Sequence, residues 1–293
     1  MSAPLEGVRV VDFTHVLAGP ACAYMLGLLG AEVIKVEGPD GEAMRWRGGT
    51  DADAAAAGRS TAWLAQAAGK LSLVLDLETA AGREAMHRLL ARSDVLVENH
   101  RPATLRRLGL DDLDVRHPRL IHCAMTGYGR GGALSDAPAY DVNIQAASGL
   151  MSVTGTEATG PLRAGAPVVD YATALAAGFA ICAALTRRAR DGAGAFVDVS
   201  MLETALTLMS SQIADMTATN TVPQPRGVDT DAIPRELGLE GRSSTEARPV
   251  RPARSWIASA PSVRSCAVPV GSRAARSDGP KGRARRGGRR VRG

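Results

Sequence analysis

The feature that most constrains the fold of this 293-residue chain is a regular alternation of strand-like and helix-like segments over roughly its first 220 residues. Short runs rich in β-branched residues alternate with Ala-rich or amphipathic stretches of helical length. Strands joined by helical crossovers pair in parallel, so this order predicts an α/β fold with ligands at the carboxyl ends of the strands. The predicted strands are Val8–Val11, Glu32–Val36, Leu71–Leu75, Asp94–Val97, Leu120–Ala124 and Ala195–Val199.

Helix signals lie between these strands. Gly30 is a stop for the first apolar helix, and Thr79 is an N-cap for a later one. The stretch between the second and third strands is rich in Gly and Ala and is interpreted as a loop. The predicted helices are Pro20–Leu29, Thr79–Ala91, Tyr171–Arg188 and a helical portion over Met201–Met216.

The composition changes at about Pro223, which divides the chain into a domain over residues 1–222 and a tail over residues 223–293. From Gly241 onward, thirteen Arg and one Lys face two acids, a net charge of +12 that leaves −7 for the rest of the chain. A tail of Arg, Ala, Ser, Gly and Pro buries too little apolar surface to offset chain entropy, so it is predicted to be disordered. Its positive charge leaves weak, salt-dependent nucleic-acid binding as a non-enzyme alternative.

Several classes of protein are disfavoured. The N-terminus does not resemble a signal peptide, and no apolar run reaches membrane-spanning length, so a soluble cytoplasmic protein is expected. The four cysteines and five histidines show no metal-ligand or disulfide spacing, so no metal site is predicted. The sequence contains no G-x-S-x-G motif, which disfavours a serine hydrolase. Gly127–Gly132 matches G-x-G-x-x-G, but no helix follows promptly, which favours a turn.

Asp170 is the most informative single residue. It stands between the strand-like stretch Gly165–Val169 and the predicted helix that starts at Tyr171. Taken alone, it is either an N-cap that accepts hydrogen bonds from the first turn of the helix or a poised nucleophilic carboxylate. The helix N-terminus would stabilise negative charge in either role.

A series of blocks in collinear order resembles the class III CoA-transferases, the family that includes formyl-CoA transferase and carnitine CoA-transferase. The resemblance covers roughly residues 4–220 and starts with Leu5–Cys22. It continues through Leu29–Glu37, Leu75–Leu77, Val95–Asn99, Gly127–Gly129, Tyr140–Asp141, Ser148–Leu150 and Asp170–Gly194. The family fold implied is a Rossmann-like parallel sheet with flanking helices.

The resemblance implies that Asp170 is the nucleophile. Its carboxylate would attack an acyl-CoA thioester and form an aspartyl anhydride, then an aspartyl-CoA thioester, before CoA passes to a small carboxylic acid. Backbone N–H groups would have to stabilise the oxyanions. Coenzyme A is then a substrate, with no tightly bound cofactor. The positions implied to contact CoA are Leu17, Ala18, Leu75, Asp76, Asn99, His100, Arg101, Arg107 and Tyr140.

Some positions depart from the family patterns. Leu17 and Gly38 stand where formyl-CoA transferases have glutamine and arginine, which disfavours formyl or oxalyl specificity. The α-methylacyl-CoA racemase branch of the same fold has a histidine at the position of Tyr140, immediately before the acid matching Asp141. Without that histidine the two-base proton transfer lacks a partner. The CoA-transferase reading is therefore favoured, with the racemase reading kept as the alternative.

The C-terminal portion is the largest departure. Family members are longer, and their C-terminal portion forms a small domain and then returns to the first, which links two subunits into a homodimer. The sequence after about Pro225 does not resemble that portion. Its composition is typical of a GC-rich gene translated out of frame, so we hypothesise a truncated or frameshifted family member. An inactive truncated remnant is therefore a further alternative, and the homodimer of the family depends on the missing portion, whereas the assignment of Asp170 does not.

Overall fold

The sheet is the framework on which the other elements are placed. The computed structural model describes residues 2–156 and 158–223, so the predicted tail lies outside the described residues except for Pro223. Six parallel strands form one sheet in the order β3-β2-β1-β4-β5-β8. These strands are β1 (Arg9–Phe13), β2 (Glu32–Glu37), β3 (Leu71–Val74), β4 (Val95–Glu98), β5 (Ile121–Thr126) and β8 (Ala195–Ser200). The predicted Rossmann-like α/β class is confirmed.

Helices cover both faces of the sheet, as parallel strands require. An antiparallel hairpin of β6 (Gly155–Thr156) and β7 (Gly160–Pro161) stands apart from it. The helices are α1 (Ala18–Leu28), α2 (Ala52–Ala56), α3 (Thr61–Ala67), α4 (Ala80–Leu90), α5 (Pro102–Leu108), α6 (Leu113–Arg116), α7 (Asp141–Ala147), α8 (Val168–Asp191), α9 (Met201–Leu208) and α10 (Ser210–Thr219).

Two apolar layers lie on the two faces of the sheet. On one face, α1 and α8 pack together and against the strands, with Leu26 and Ile181 fully buried between them. On the other, α4 and α5 cover the sheet through side chains such as Met86 and Leu105. Alternate strand residues supply the two layers, because successive side chains point to opposite faces.

Three predictions about these elements were wrong beyond small shifts in their bounds, and helices α5, α6 and α7 were not predicted. Short helices α2 and α3 lie in the stretch interpreted as a loop, where Asp51 and Ser60 cap them through hydrogen bonds to backbone N–H groups. Helix α8 begins at Val168, not at Tyr171, so Gly165–Val169 is not a strand. The predicted segment Met201–Met216 is two helices, α9 and α10, separated at Met209.

Helix α8 is, among the described residues, the one helix whose length and composition would suffice to cross a membrane. It packs against α1, α9 and strand β5, which is the arrangement of a core helix. Its exposed side carries Leu175 and Phe179, which are 61% and 79% exposed.

The order of the strands fixes where a ligand can bind. Strands β2 and β3 lie on one side of β1, and β4, β5 and β8 on the other. The chain therefore reverses its direction of sheet growth between β1 and β4. In open α/β sheets, the crevice beyond the carboxyl ends of the strands at such a switch point is the usual ligand site.

Candidate active site

A cavity of about 370 Å³ opens at the carboxyl ends of β1, β4 and β5, beside the first turn of α8. This volume lies within the range of small-molecule sites. Seven of the ten predicted site residues line it: Leu17, Ala18, Asn99, His100, Arg101, Tyr140 and Asp170. Asp170 is the only acidic residue among the described residues that line this cavity.

Asp170 lies inside the first turn of α8, three residues after the N-cap residue Pro167. Its side chain makes no capping hydrogen bond, so the interpretation as a helix cap is wrong. Two N–H groups of that turn, those of Val169 and Asp170, instead donate to Oδ1 of Asp141, at 2.8 and 3.1 Å. Because Asp141 takes over the capping, the Asp170 carboxylate has no hydrogen-bond partner in the described part of the chain.

The environment of Asp170 disfavours its charged form. Burial raises its pKa, and the nearby negative charge of Asp141 raises it further, to about 7 from an ordinary 3.8. A carboxyl group with this pKa is about half ionised at neutral pH. A strongly perturbed acid that faces a cavity is a candidate for chemistry.

The loop between β1 and α1 forms part of the wall of the cavity. It is tied to Asn99, the residue that follows β4, by two hydrogen bonds, from His15 N to Asn99 Oδ1 at 2.9 Å and from Asn99 Nδ2 to His15 O at 2.8 Å. Gly19 permits a close fold of this loop, because a Cβ there would lie 2.4 Å from the Thr14 Cγ2 atom. The pair Asn99–His15 therefore fixes the two loops that meet at the switch point.

The start of α1 leaves backbone donors free at this wall. Among the described residues, the N–H groups of Leu17, Ala18 and Gly19 have no hydrogen-bond partner, and Pro20 has no N–H. Leu17 and Ala18 line the cavity that contains Asp170. Free N–H groups at a helix N-terminus carry partial positive charge and suit a developing oxyanion.

The positive charge at the cavity comes from the side chain of Arg101 and not from that of His100. Burial, together with His15 and Lys35, lowers the pKa of His100 to about 3, so its ring is neutral at pH 7. The His100 backbone N–H donates to Oε2 of the buried Glu98 at 2.8 Å, which fixes this segment. Arg101 is exposed and forms no ion pair with any described residue.

Three predicted CoA contacts lie away from the cavity. Leu75 packs against the apolar layer on the α4 side of the sheet. Oδ1 of Asp76 accepts a hydrogen bond from the N–H of Glu78 at 3.0 Å. Arg107 is exposed on α5 and forms an ion pair with Glu78. The structure therefore does not bring these three side chains together with Asp170.

A larger groove, of about 630 Å³, lies elsewhere, between α5, α6 and the start of β8. It contains none of the ten predicted site residues.

The cysteine in α1 is a packing residue. Cys22 is fully buried in the apolar layer, and burial raises the pKa of its thiol to about 12, so its role is to fill the core. The described residues contain no cluster of three or more His, Cys, Asp or Glu side chains that could hold a metal ion.

The sequence did not single out three residues that matter here. Asp141 entered the sequence analysis only through the family resemblance, as part of a block and as the acid of the racemase branch, although it organises the first turn of α8. His15 and Val16 line the cavity beside Leu17. A signal was present for the loop, since Gly19-Pro20 indicates a close backbone approach. No local signal marks Asp141, which acts across 29 residues.

Comparison with known proteins identifies a family model and several relatives of this chain. A family model described as CoA-transferase family III matches residues 5–236, a range that extends past the predicted boundary at residue 222. Succinyl-CoA:glutarate CoA-transferase of Mus musculus is 42% identical over 217 residues, which cover 73% of this chain and 47% of that protein. Succinate–glutarate CoA-transferase of Agrobacterium fabrum is 38% identical over 214 residues, 71% of this chain and 54% of that protein.

A solved structure shares the fold. The crystal structure of a CAIB/BAIF family protein from Brucella suis superposes with a TM-score of 0.72 and 34% identity, and covers 78% of this chain and 61% of that one. The chain spans about half the length of the curated relatives it matches. The match of the family model to most of the chain and the shared fold lead to one conclusion: the chain belongs to CoA-transferase family III.

Proposed function

We propose that the Asp170 cavity transfers coenzyme A between an acyl-CoA and a carboxylic acid, with Asp170 as the nucleophile. The observation that carries the proposal is the position of this carboxylate. It has no hydrogen-bond partner among the described residues, its pKa is raised to about 7, and it lines a cavity at the switch point of the sheet. Membership of the family supplies the reaction class.

The proposed reaction proceeds through two covalent species on Asp170. The carboxylate attacks the thioester carbonyl, and the C–S bond breaks to give a mixed anhydride and CoA thiolate. The thiolate then attacks the aspartyl carbonyl, which releases the donor acid and leaves an aspartyl-CoA thioester. An acceptor carboxylate repeats both steps in reverse. Each step exchanges one activated acyl bond, a thioester or an anhydride, for another, so the free energy of the thioester is conserved.

Two features of the cavity support this chemistry. The N–H groups of Leu17 and Ala18, which have no partner among the described residues, stand where partial positive charge can stabilise a tetrahedral oxyanion. The guanidinium of Arg101, which pairs with no acid in the described ranges, suits a phosphate of CoA. The raised pKa of Asp170 favours attack, because a carboxylate that is poorly stabilised is a better nucleophile than one held by several hydrogen bonds.

The racemase alternative requires a second base, which the described residues that line this cavity supply only weakly. Tyr140 occupies the position at which that branch carries a histidine, and a phenol is a weaker proton acceptor than an imidazole. His15 and His100 also line the cavity, but burial and the charge of Lys35 lower the pKa of both rings, that of His100 to about 3, so both are weak bases. Proton abstraction from the carbon next to the thioester is therefore disfavoured relative to acyl transfer.

A transfer assay separates these readings. The full chain is incubated with succinyl-CoA and a panel of free dicarboxylic and monocarboxylic acids, and new acyl-CoAs are detected by liquid chromatography. We expect a new acyl-CoA that requires the acceptor acid, and a rate at least about 100-fold lower for Asp170→Asn. Asp111→Asn, at an exposed position in the larger groove, is the matched control. Deuterium uptake from D₂O at the α-carbon without transfer would support the racemase reading instead.

A further inference from the structure

Val16 holds an unusual backbone conformation at the wall of the Asp170 cavity. Its φ is +68°, and it is one of two non-glycine residues with positive φ in the described ranges; the other, Asn220, ends a helix. A β-branched residue is rarely found there, because its side chain crowds the backbone. Some other interaction must therefore hold Val16 in place.

That interaction is a hydrogen bond from the backbone N–H of Val16 to a buried carboxylate. The N–H of Val16 donates to Oε1 of Glu42 at 2.7 Å. The backbone of Glu42 is fixed in turn, because its N–H donates to Oε2 of Glu37 at 3.0 Å. Arg45 holds the Glu37 carboxylate with two hydrogen bonds of 2.6 Å. Glu42 is thus anchored before it contacts Val16.

The other oxygen of Glu42 belongs to a buried ionic cluster. Oε2 of Glu42 lies 3.2 Å from Nζ of Lys35, and that Nζ lies 3.4 Å from Oδ1 of Asp12. Nζ of Lys70 lies 2.7 Å from Oδ2 of Asp12. All four side chains are at most 6% exposed. Burying four charges costs desolvation free energy, so a stabilising effect on the fold is a weak explanation for the presence of this cluster.

The cluster contacts the loop and the start of α1 at four backbone atoms, the first of which is the N–H of Thr14, which donates to Oδ1 of Asp12 at 3.2 Å. Lys35 donates to the carbonyl of Thr14, Glu42 accepts from the N–H of Val16, and Lys70 donates to the carbonyl of Pro20 at 2.8 Å. Between these anchors lie Leu17 and Ala18, whose N–H groups have no partner among the described residues. The anchors therefore determine the direction in which these two N–H groups point.

We propose that Glu42, paired with Lys35, is a positioning residue that holds Val16 in the left-handed conformation and so directs the N–H groups of Leu17 and Ala18 into the Asp170 cavity. The consequence for catalysis rests on the proposed CoA transfer. The placement of the loop by Glu42 does not depend on CoA transfer, and it is measured separately.

The test uses the full chain with Glu42→Ala and Glu42→Asp. The aspartate keeps a buried charge beside Lys35 but is one methylene too short to hold both Lys35 and the N–H of Val16, so it guards against a failure to fold. Asp94→Ala is the control, because it removes a partly buried ion pair with Arg188 at 2.7 Å that does not contact the loop. Val16→Gly, alone and combined with Glu42→Ala, tests the link to the strained residue, since glycine adopts positive φ without cost.

Two readouts are measured for each variant. Amide hydrogen exchange of Val16, Leu17 and Ala18 is followed by NMR, and formation of the CoA adduct on Asp170 is followed with succinyl-CoA. We expect both Glu42 variants to speed exchange at Val16 and to slow adduct formation, about tenfold for Glu42→Ala. The succinyl-CoA concentration that half-saturates the rate of adduct formation should change less than about threefold. In the Val16→Gly background, Glu42→Ala should slow the adduct by less than about threefold.

The outcomes separate the two claims. Unchanged exchange at Val16 in both Glu42 variants would overturn the positioning role. So would a loss of thermal stability, matched by Asp94→Ala, with an unchanged adduct rate per folded molecule. If the wild type forms no adduct while Glu42→Asp still speeds exchange at Val16, the proposed CoA transfer fails and the placement of the loop by Glu42 stands.

Discussion

The charge of Asp141 is expected to control the acidity of Asp170, and Asp141→Asn tests this. Asparagine keeps an oxygen that can accept from the N–H groups of Val169 and Asp170, as Oδ1 of Asp141 does at 2.8 and 3.1 Å. It removes the negative charge. The variant therefore separates the electrostatic effect of Asp141 on Asp170 from its capping of α8.

The size of the effect follows from the causes of the shift. The pKa of Asp170 is raised from 3.8 to about 7, by burial in the first place and by Asp141 in the second. This rise corresponds to about 4 kcal/mol in favour of the protonated form. Since burial is the larger cause, Asp141 contributes less than half, at most about 2 kcal/mol. Asp141→Asn should lower the pKa of Asp170 below 7, but to no less than about 5.4.

The assay is a ¹³C NMR titration of protein labelled at the aspartate carboxyl carbon, with Asp170→Asn to assign the resonance. Gln145→Met is the matched control, because it removes the side-chain hydrogen bond that Gln145 donates to Asp141 and leaves the charge in place. The control should keep a midpoint near 7. An unchanged midpoint in Asp141→Asn would refute the electrostatic coupling. A fall to the ordinary value near 3.8 would refute the dominant role of burial.

Three further results are expected. The folded pKa of Asp170 lies above its unfolded value, so the free energy of unfolding falls as the pH rises from about 4 to 7. Asp170→Asn should remove this fall. In urea titrations, it should raise the free energy of unfolding at pH 8 by up to about 4 kcal/mol and give no gain at pH 4. Arg101→Ala should weaken CoA binding about fivefold in calorimetry, and by more at low salt. Arg107→Ala should change the affinity less than twofold, because Arg107 forms its ion pair outside the cavity. An equal loss of affinity in both variants would show that Arg107 also contacts CoA. Gly19→Ala should cost about 1–3 kcal/mol of stability, since its Cβ would collide with Thr14, and an unchanged urea midpoint would contradict this.

The sheet was predictable because each strand carries its own signal. Runs such as Glu32–Val36 are rich in β-branched residues, and the helices between them force parallel pairing. The helix bounded by Thr79 was also predictable, since the Thr79 hydroxyl accepts from the N–H of Gly82 at 3.0 Å, as a local N-cap does. Seven of the ten predicted site residues meet in one cavity because they end strands or start helices at the same edge of the sheet.

The rest depended on contacts between distant residues. The Val-Val pair before Asp170 favours a strand by local propensity, but Asp141 supplies the cap that starts α8 at Val168. Nothing local indicates positive φ at Val16, since a β-branched residue disfavours it and the stabilising group, Glu42, lies 26 residues away. The predicted tail lies outside the described residues, apart from Pro223.

The central claim is that Asp170 carries CoA covalently during transfer. The direct measurement is peptide mass spectrometry of the full chain after brief incubation with succinyl-CoA and acid quench. The account predicts that the mass of CoA, less one water, is added to the peptide containing Asp170 and to no peptide of the Asp170→Asn variant. A folded wild-type protein that forms no adduct on Asp170 with succinyl-CoA or any other acyl-CoA of a broad panel would contradict it.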